Sequence, residues 1–143
     1  MTILTKNFTL EELTHTDHRE FTNEPNESER QNLVRLANFL EQVKFVLGGV
    51  PIMVNSAYRS AEVNAAVGSK ETSQHRLGCA ADLRVPGMTP DQVVQAVIGS
   101  QLEFDQCIRE FDRWTHLSVP SHEGEKPRRQ ALIIDKMGTR KYA

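Results

Sequence analysis

The 143-residue sequence has no long hydrophobic run and no apolar segment at its start. No stretch approaches the roughly 18 apolar residues that cross a bilayer, which predicts no membrane insertion. The opening MTILTKNFTLEE also lacks the apolar core of a secretory signal. We therefore expect a protein that is made in the cytoplasm without a signal peptide.

Cysteine and excess charge are also scarce. Cys79 and Cys107 are too few for a disulfide scaffold and are expected to be small, reduced, buried side chains. The formal charge of −2 gives no cationic field, so the composition does not predict nucleic-acid binding. The one basic cluster is the tail 126–143. We interpret it as an edge strand protected by its charges, with contact to an anionic partner as the alternative.

No repeat, low-complexity tract or linker divides the chain, so residues 1–143 are expected to form one domain. Helix starts are predicted at the capping boxes Thr9/Glu12 and Ser28/Gln31 and at Thr89–Pro90, where the side chains can satisfy free backbone N–H groups. A long amphipathic helix should run from the second box to Gly48, and a shorter helix should cover 61–67.

The remaining apolar runs predict strands, which cover 51–55, 80–85, 104–110, 114–119 and 130–135. Several connections are too short for a helical crossover, so antiparallel pairing must contribute. The predicted class is α+β, with a central, mainly antiparallel sheet and helices packed on one face.

The segment SQHRLGCAAD (73–82) fits the pattern S-x-H-x-x-G-x-A-x-D. His75 is expected on a loop, Gly78 in a tight turn, and Asp82 on the strand that follows. Strand alternation places Asp82 on one face together with Ala80, whose small side chain leaves room beside the carboxylate. The pattern therefore places a histidine on the loop before a strand and an aspartate on that strand.

A third polar residue comes from RWTHLSV (113–119), a predicted strand that carries His116. His116 and Asp82 on neighbouring antiparallel strands can converge with His75 from the loop. Two imidazoles and one carboxylate form a zinc site with an open fourth position, the arrangement of a catalytic rather than a structural site.

Together with SAYRS (56–60), these motifs resemble the zinc D-alanyl-D-alanine carboxypeptidase family. Its relatives include a vancomycin-resistance dipeptidase, phage endolysins that cleave L-alanyl-D-glutamate, and the metal-binding domain of hedgehog proteins. FTLEELTHTD and RRQAL look like the small phage-type branch. The resemblance implies the hedgehog/DD-peptidase fold, a Zn²⁺ cofactor held by His75, Asp82 and His116, and peptidoglycan peptide as substrate.

A peptidase of this kind needs a general base near the metal. Several branches of the family place an acid three residues before the last histidine, where this chain has Arg113. If a three-residue turn joins the last two motif strands, Glu110 pairs with Trp114 and lies diagonally across from His116. We therefore favour Glu110 as the base, and Asp112, or no base at all, remains an alternative.

Two further residues match family positions near the substrate. Arg59 is expected to bind a substrate carboxylate or to stabilise charge on the scissile carbonyl, because its planar guanidinium suits both tasks. It could instead be a surface ion-pair partner. Ser73 is expected to hydrogen-bond the substrate, although it could simply cap the loop.

The function predicted from these residues is metal-assisted hydrolysis of stem or cross-link peptides, next to a D-amino acid. The bond cleaved and the oligomeric state stay open. The alternatives are a catalytically silent member of the fold that binds cell wall or a virion partner, and an unrelated metal hydrolase. Because the wall lies outside the membrane, a leaderless wall enzyme would require a holin, a virion or cell lysis to reach it.

Overall fold

The computed structural model describes residues 1–142. Within this range the helices occupy the places that the capping and periodicity patterns predict. Their bounds are α1 (Leu10–Leu13), α2 (Glu27–Val46), α3 (Ala61–Ala66) and α4 (Pro90–Ile98), and a 3₁₀ turn covers Gln74–Leu77. His75 therefore lies in a short helical turn rather than in an irregular loop.

The strands within residues 1–142 form a two-stranded ribbon and a six-stranded sheet. The ribbon pairs β1 (Ile3–Thr5) with β2 (Phe8–Thr9), and the sheet has the order β3-β4-β6-β5-β7-β8. The sheet strands are β3 (Met53–Ser56), β4 (Ala80–Arg84), β5 (Gln106–Glu110), β6 (Trp114–Ser118), β7 (Gln130–Asp135) and β8 (Gly138–Lys141). The α+β class is confirmed. The sheet is mainly antiparallel, and β5 and β7 form a parallel pair.

The long helix begins two residues earlier than its predicted capping box. Asn26, not Ser28, is the N-cap: its side chain accepts the Glu29 N–H, and the Glu29 carboxylate accepts the Asn26 N–H. Asparagine and serine cap equally well. The Glu29 carboxylate is a stronger acceptor than the Gln31 amide, which favours the upstream box.

The hydrophobic core lies between α2, α4 and one face of the sheet. The apolar stripe of α2 is buried as predicted, and α4 buries Val93, Val94 and Val97. From the sheet, Leu83 of β4 and Leu117 of β6 are fully buried in the same cluster. Both free cysteines are buried as expected. This packing covers one sheet face and leaves the opposite face of β4 and β6 for polar side chains.

The predicted three-residue hairpin turn joins β5 to β6. Glu110 pairs with Trp114, and Ile108 pairs with His116. Phe111 and Asp112 close the turn with φ angles of 54° and 53°, a conformation that few L-residues adopt. The register places Glu110, Trp114 and His116 on the polar face of the sheet.

The basic tail forms the β7–β8 hairpin at the sheet edge, where all four residues of β8 are exposed. This position agrees with the expectation of a charged edge strand. No helix within residues 1–142 is both long and apolar enough to cross a membrane.

Gly78 holds the turn that carries His75 against α2. Its φ is +80°, and a Cβ there would lie 2.9 Å from the Glu29 carbonyl oxygen and 3.1 Å from Leu33 Cγ. Gly68 has a similar φ of +76° but no atom within 4 Å of its would-be Cβ. Comparing substitutions at the two glycines therefore distinguishes the effect of backbone strain from that of close packing.

We expect Gly78→Ala to lower the free energy of unfolding by about 2–5 kcal/mol, because backbone strain and overpacking add. Gly68→Ala should cost only about 1–2 kcal/mol, from backbone strain alone. Urea denaturation of both variants measures the difference. Equal losses would show that the contact with α2 imposes no requirement for glycine at position 78.

Candidate metal centre

Three buried polar side chains converge on the polar face of the sheet. His75, Asp82 and His116 each present a ligand atom, and these atoms lie within 4.8 Å of one another. His75 Nε2 is 3.3 Å from Asp82 Oδ2, and His116 Nδ1 is 3.0 Å from Asp82 Oδ1. Strand pairing sets the second contact, because Asp82 and His116 are direct cross-strand partners. Two imidazole nitrogens and a carboxylate oxygen form a donor set that fits zinc.

A backbone contact orients the His75 ring. Its Nδ1 lies 2.7 Å from the Ala57 carbonyl oxygen. A neutral ring that donates Nδ1–H to this carbonyl leaves the Nε2 lone pair facing Asp82, as metal-binding histidines commonly do. The His75 carbonyl in turn accepts the Arg59 N–H at 2.9 Å. The segment after β3 therefore positions His75.

The protonation states suit a metal site. Burial lowers the pKa of His75 below its ordinary value, which favours the neutral ring that binds metal. Burial alone would raise the pKa of Asp82, but the charge that His75 carries when protonated, together with hydrogen bonds from the His116 and His75 rings, holds it well below its usual range. Asp82 is therefore ionised, as a metal ligand must be.

Glu110 lies beside this group. Its Oε1 is 3.8 Å from His116 Nδ1, and its Oε2 accepts the Trp114 indole N–H at 3.0 Å. Burial, and then the charge of Asp82, raise the pKa of Glu110 above its usual value. A carboxylate whose pKa is raised towards neutrality is a better general base near pH 7.

Asp112 is placed differently. Its side chain is 73% exposed and pairs with Arg109 at 3.1 Å, outside the His75–Asp82–His116 group. The hairpin geometry thus brings Glu110 to the candidate centre and directs Asp112 into a surface ion pair.

Arg59 contacts the centre through Asp82. Its NH2 group donates to Asp82 Oδ2 at 3.1 Å, and its Nε donates to Ser56 Oγ at 3.1 Å. Burial lowers the pKa of Arg59, and Asp82 and Glu110 act in the opposite direction. Arg59 therefore forms a largely buried ion pair at the centre rather than a surface pair.

Ser73 caps the 3₁₀ turn. Its Oγ accepts the backbone N–H of His75 at 3.2 Å. Its contact with substrate stays a prediction, because this bond gives the hydroxyl a structural task of its own.

A buried hydrogen-bond network that the sequence analysis did not predict supports the 3₁₀ turn that carries His75. Gln74 Nε2 donates to Asp105 Oδ2 and to Ser121 Oγ, each at 3.0 Å. Asp105 is 2% exposed and also accepts the Arg128 guanidinium and backbone N–H. Asp105, which directly precedes β5 and follows Phe104, was the available signal, but its partner Gln74 lies 31 residues away.

Cys79 lies between two members of the group in sequence and points elsewhere. Its Sγ contacts Arg35 Nη2 at 3.5 Å and the Ser121 carbonyl oxygen at 3.9 Å. Burial raises the pKa of the Cys79 thiol, which disfavours the thiolate that binds metal. The sequence neighbour of the centre is thus a core residue.

The sequence profile of the family described as Peptidase M15 matches residues 6–118. This segment runs from the turn between β1 and β2 to the end of β6 and includes His75, Asp82, Glu110 and His116. No curated protein is significantly similar to the chain. The match covers most of the chain and all the residues of the candidate centre.

Proposed function

The chain belongs to the peptidase M15 family of zinc peptidases, and we propose that it hydrolyses stem or cross-link peptides of peptidoglycan at bonds next to a D-amino acid. The observation that carries this proposal is the convergence of His75, Asp82 and His116, with Glu110 3.8 Å from the last ring. Family membership supports a metallopeptidase. The peptidoglycan substrate rests on the motif resemblance.

The metal would be held by His75, Asp82 and His116, whose burial excludes competing water from the ligand atoms. When bound, zinc supplies a Lewis acid that polarises a carbonyl and lowers the pKa of water towards about 7. The Ala57 carbonyl keeps the His75 ring in the orientation that this task requires.

Glu110 acts as the general base in this proposal. Its carboxylate removes a proton from the attacking water and returns it to the leaving amine. The Trp114 N–H holds one carboxylate oxygen, which leaves Oε1 directed towards His116. The indole contact therefore fixes the proton acceptor next to the reacting atoms.

Arg59 and Ser73 complete the proposed site. The Arg59 guanidinium, anchored on Asp82, stabilises negative charge that develops on the scissile carbonyl oxygen or binds a substrate carboxylate. Ser73 Oγ accepts a backbone N–H, and its own hydrogen remains free to donate to a peptide oxygen.

The rival function is wall binding without catalysis. It is suggested by Arg113, which stands where several branches of the family have an acid. The position of Glu110 favours hydrolysis. Glu110 lies three residues before Arg113 in the sequence, and its carboxylate reaches the centre in place of the missing family acid. Peptidoglycan lies outside the cytoplasmic membrane, so we propose that the protein acts there after holin-assisted release or as part of a virion.

Digestion of purified sacculi and defined muropeptides tests the function. We expect new peptide termini, identified by mass spectrometry, with zinc-loaded protein and none with chelator-treated protein. Readdition of zinc should restore them. Zinc-loaded, folded protein that releases no new termini from any muropeptide would favour the silent function.

A further inference from the structure

A groove of about 590 Å³ opens between two hairpin turns, the first of which directly follows Glu110. The β5–β6 turn contributes Phe111 to Trp114, and the β7–β8 turn contributes Asp135 to Met137. We call this feature the turn groove. Its size is that of a typical ligand pocket.

The turn groove and the candidate centre share a contact through Trp114. Trp114 lines the groove and donates its indole N–H to Glu110 Oε2. The Phe111 ring lies 6.0 Å from the Trp114 ring, and Met137 is 82% exposed at the opposite wall. Trp114 therefore borders both Glu110 and the apolar surface of the groove.

Charge in the turn groove is unbalanced. Asp112 pairs with Arg109 at 3.1 Å, and Asp135 pairs with Arg140 at 2.9 Å. In contrast, neither Arg113 nor Lys136 forms an ion pair within residues 1–142. The acids of the groove are thus neutralised from outside it, and two cations remain available to an anionic ligand.

The two turns are held together by a backbone contact. The Phe111 N–H donates to the Ile134 carbonyl oxygen at 2.8 Å, and β5 pairs with β7 along its length. The walls of the turn groove therefore belong to one sheet, so a ligand meets a largely preformed surface. Preformed sites bind at a lower entropic cost.

We propose that the turn groove binds an anionic segment of the peptide substrate. Arg113 and Lys136 contact a substrate carboxylate, and Phe111 and Trp114 pack against the aliphatic part beside it. This inference rests on the proposed function and narrows its substrate class to acidic peptides.

The chain's one tryptophan is Trp114, so its fluorescence reports directly on the groove. The probes are two stem peptides, L-Ala-D-Glu-L-Lys-D-Ala-D-Ala linked through the D-Glu side chain and amidated at the C-terminus, so that no other carboxylate competes for the groove. One carries the free α-carboxylate of D-Glu, and the other carries its amide. Binding is measured with zinc-loaded Glu110→Gln protein, because a glutamine oxygen can still accept the Trp114 N–H. The readout is therefore independent of hydrolysis.

We expect the acidic peptide to bind about five- to tenfold more tightly than its amide, with a smaller difference at high salt. Adding Arg113→Gln and Lys136→Gln together should remove this preference. The matched control is Lys141→Gln, which removes an exposed cation of β8 outside the groove and should keep the preference.

Equal binding of the two peptides to the protein that retains both cations would overturn the proposal. A preference that survives the double replacement would do the same. Either result can occur while the unmodified enzyme still cleaves muropeptides, so failure of the groove is distinguishable from failure of the proposed function.

Discussion

Replacing Glu110 with glutamine is expected to lower peptide hydrolysis by about 100- to 10,000-fold, the usual contribution of a general base. The side chain lies 3.8 Å from His116 and is held by the Trp114 N–H. Glutamine keeps the size of the side chain and an oxygen for the indole bond, and it loses the ability to accept a proton. Steady-state cleavage of a defined muropeptide measures the loss.

The zinc content of Glu110→Gln should stay near about one ion per chain, because Glu110 is not part of the proposed ligand set. Asp112→Asn is the matched control. Asp112 is exposed and paired with Arg109, so its replacement should change hydrolysis less than about threefold. Full activity of Glu110→Gln combined with loss of activity in Asp112→Asn would assign the base to Asp112.

Removing one proposed ligand should have the second large effect. We expect His116→Ala to weaken zinc binding by more than about 100-fold, because losing even an outer partner of a metal ligand commonly costs 10- to 100-fold. Hydrolysis should fall with the metal. Competition against a fluorescent zinc chelator measures the affinity.

His122 provides a matched control. It is exposed in the turn after β6 and is not among the residues of the centre, so His122→Ala should keep the zinc affinity. Zinc should also raise the Tm of the unmodified protein and of His122→Ala, because a ligand that binds only the folded state stabilises it. If His116→Ala keeps its zinc affinity and its zinc-dependent rise in Tm, His116 is not a ligand.

Local patterns predicted much of the fold. Capping residues and apolar periodicity located the helices, and alternation located β4 and β6. These signals come from residues that are close together in the sequence. The tail was predicted as an edge strand, but the parallel pairing of β5 with β7 and the division of the tail into the β7–β8 hairpin escaped prediction. Both depend on contacts between segments whose partners no local pattern specifies.

The residues of the candidate centre were also predictable from local sequence patterns. The motif spacing and the family resemblance predicted that His75, Asp82 and His116 lie together, and the hairpin register predicted that Glu110 lies near His116. The support of the centre was not predictable. The Ala57 carbonyl that orients His75 comes from a segment 18 residues away, and neither partner carries a distinctive side-chain signal for this bond.

Anomalous diffraction from crystals at the zinc absorption edge tests the central claim most directly. The account predicts a single strong peak bonded to His75, Asp82 and His116, at about 2.0–2.2 Å from their nitrogen and oxygen atoms. Crystals grown from zinc-replete protein that show no peak at these side chains, or a peak bound only elsewhere, would contradict it.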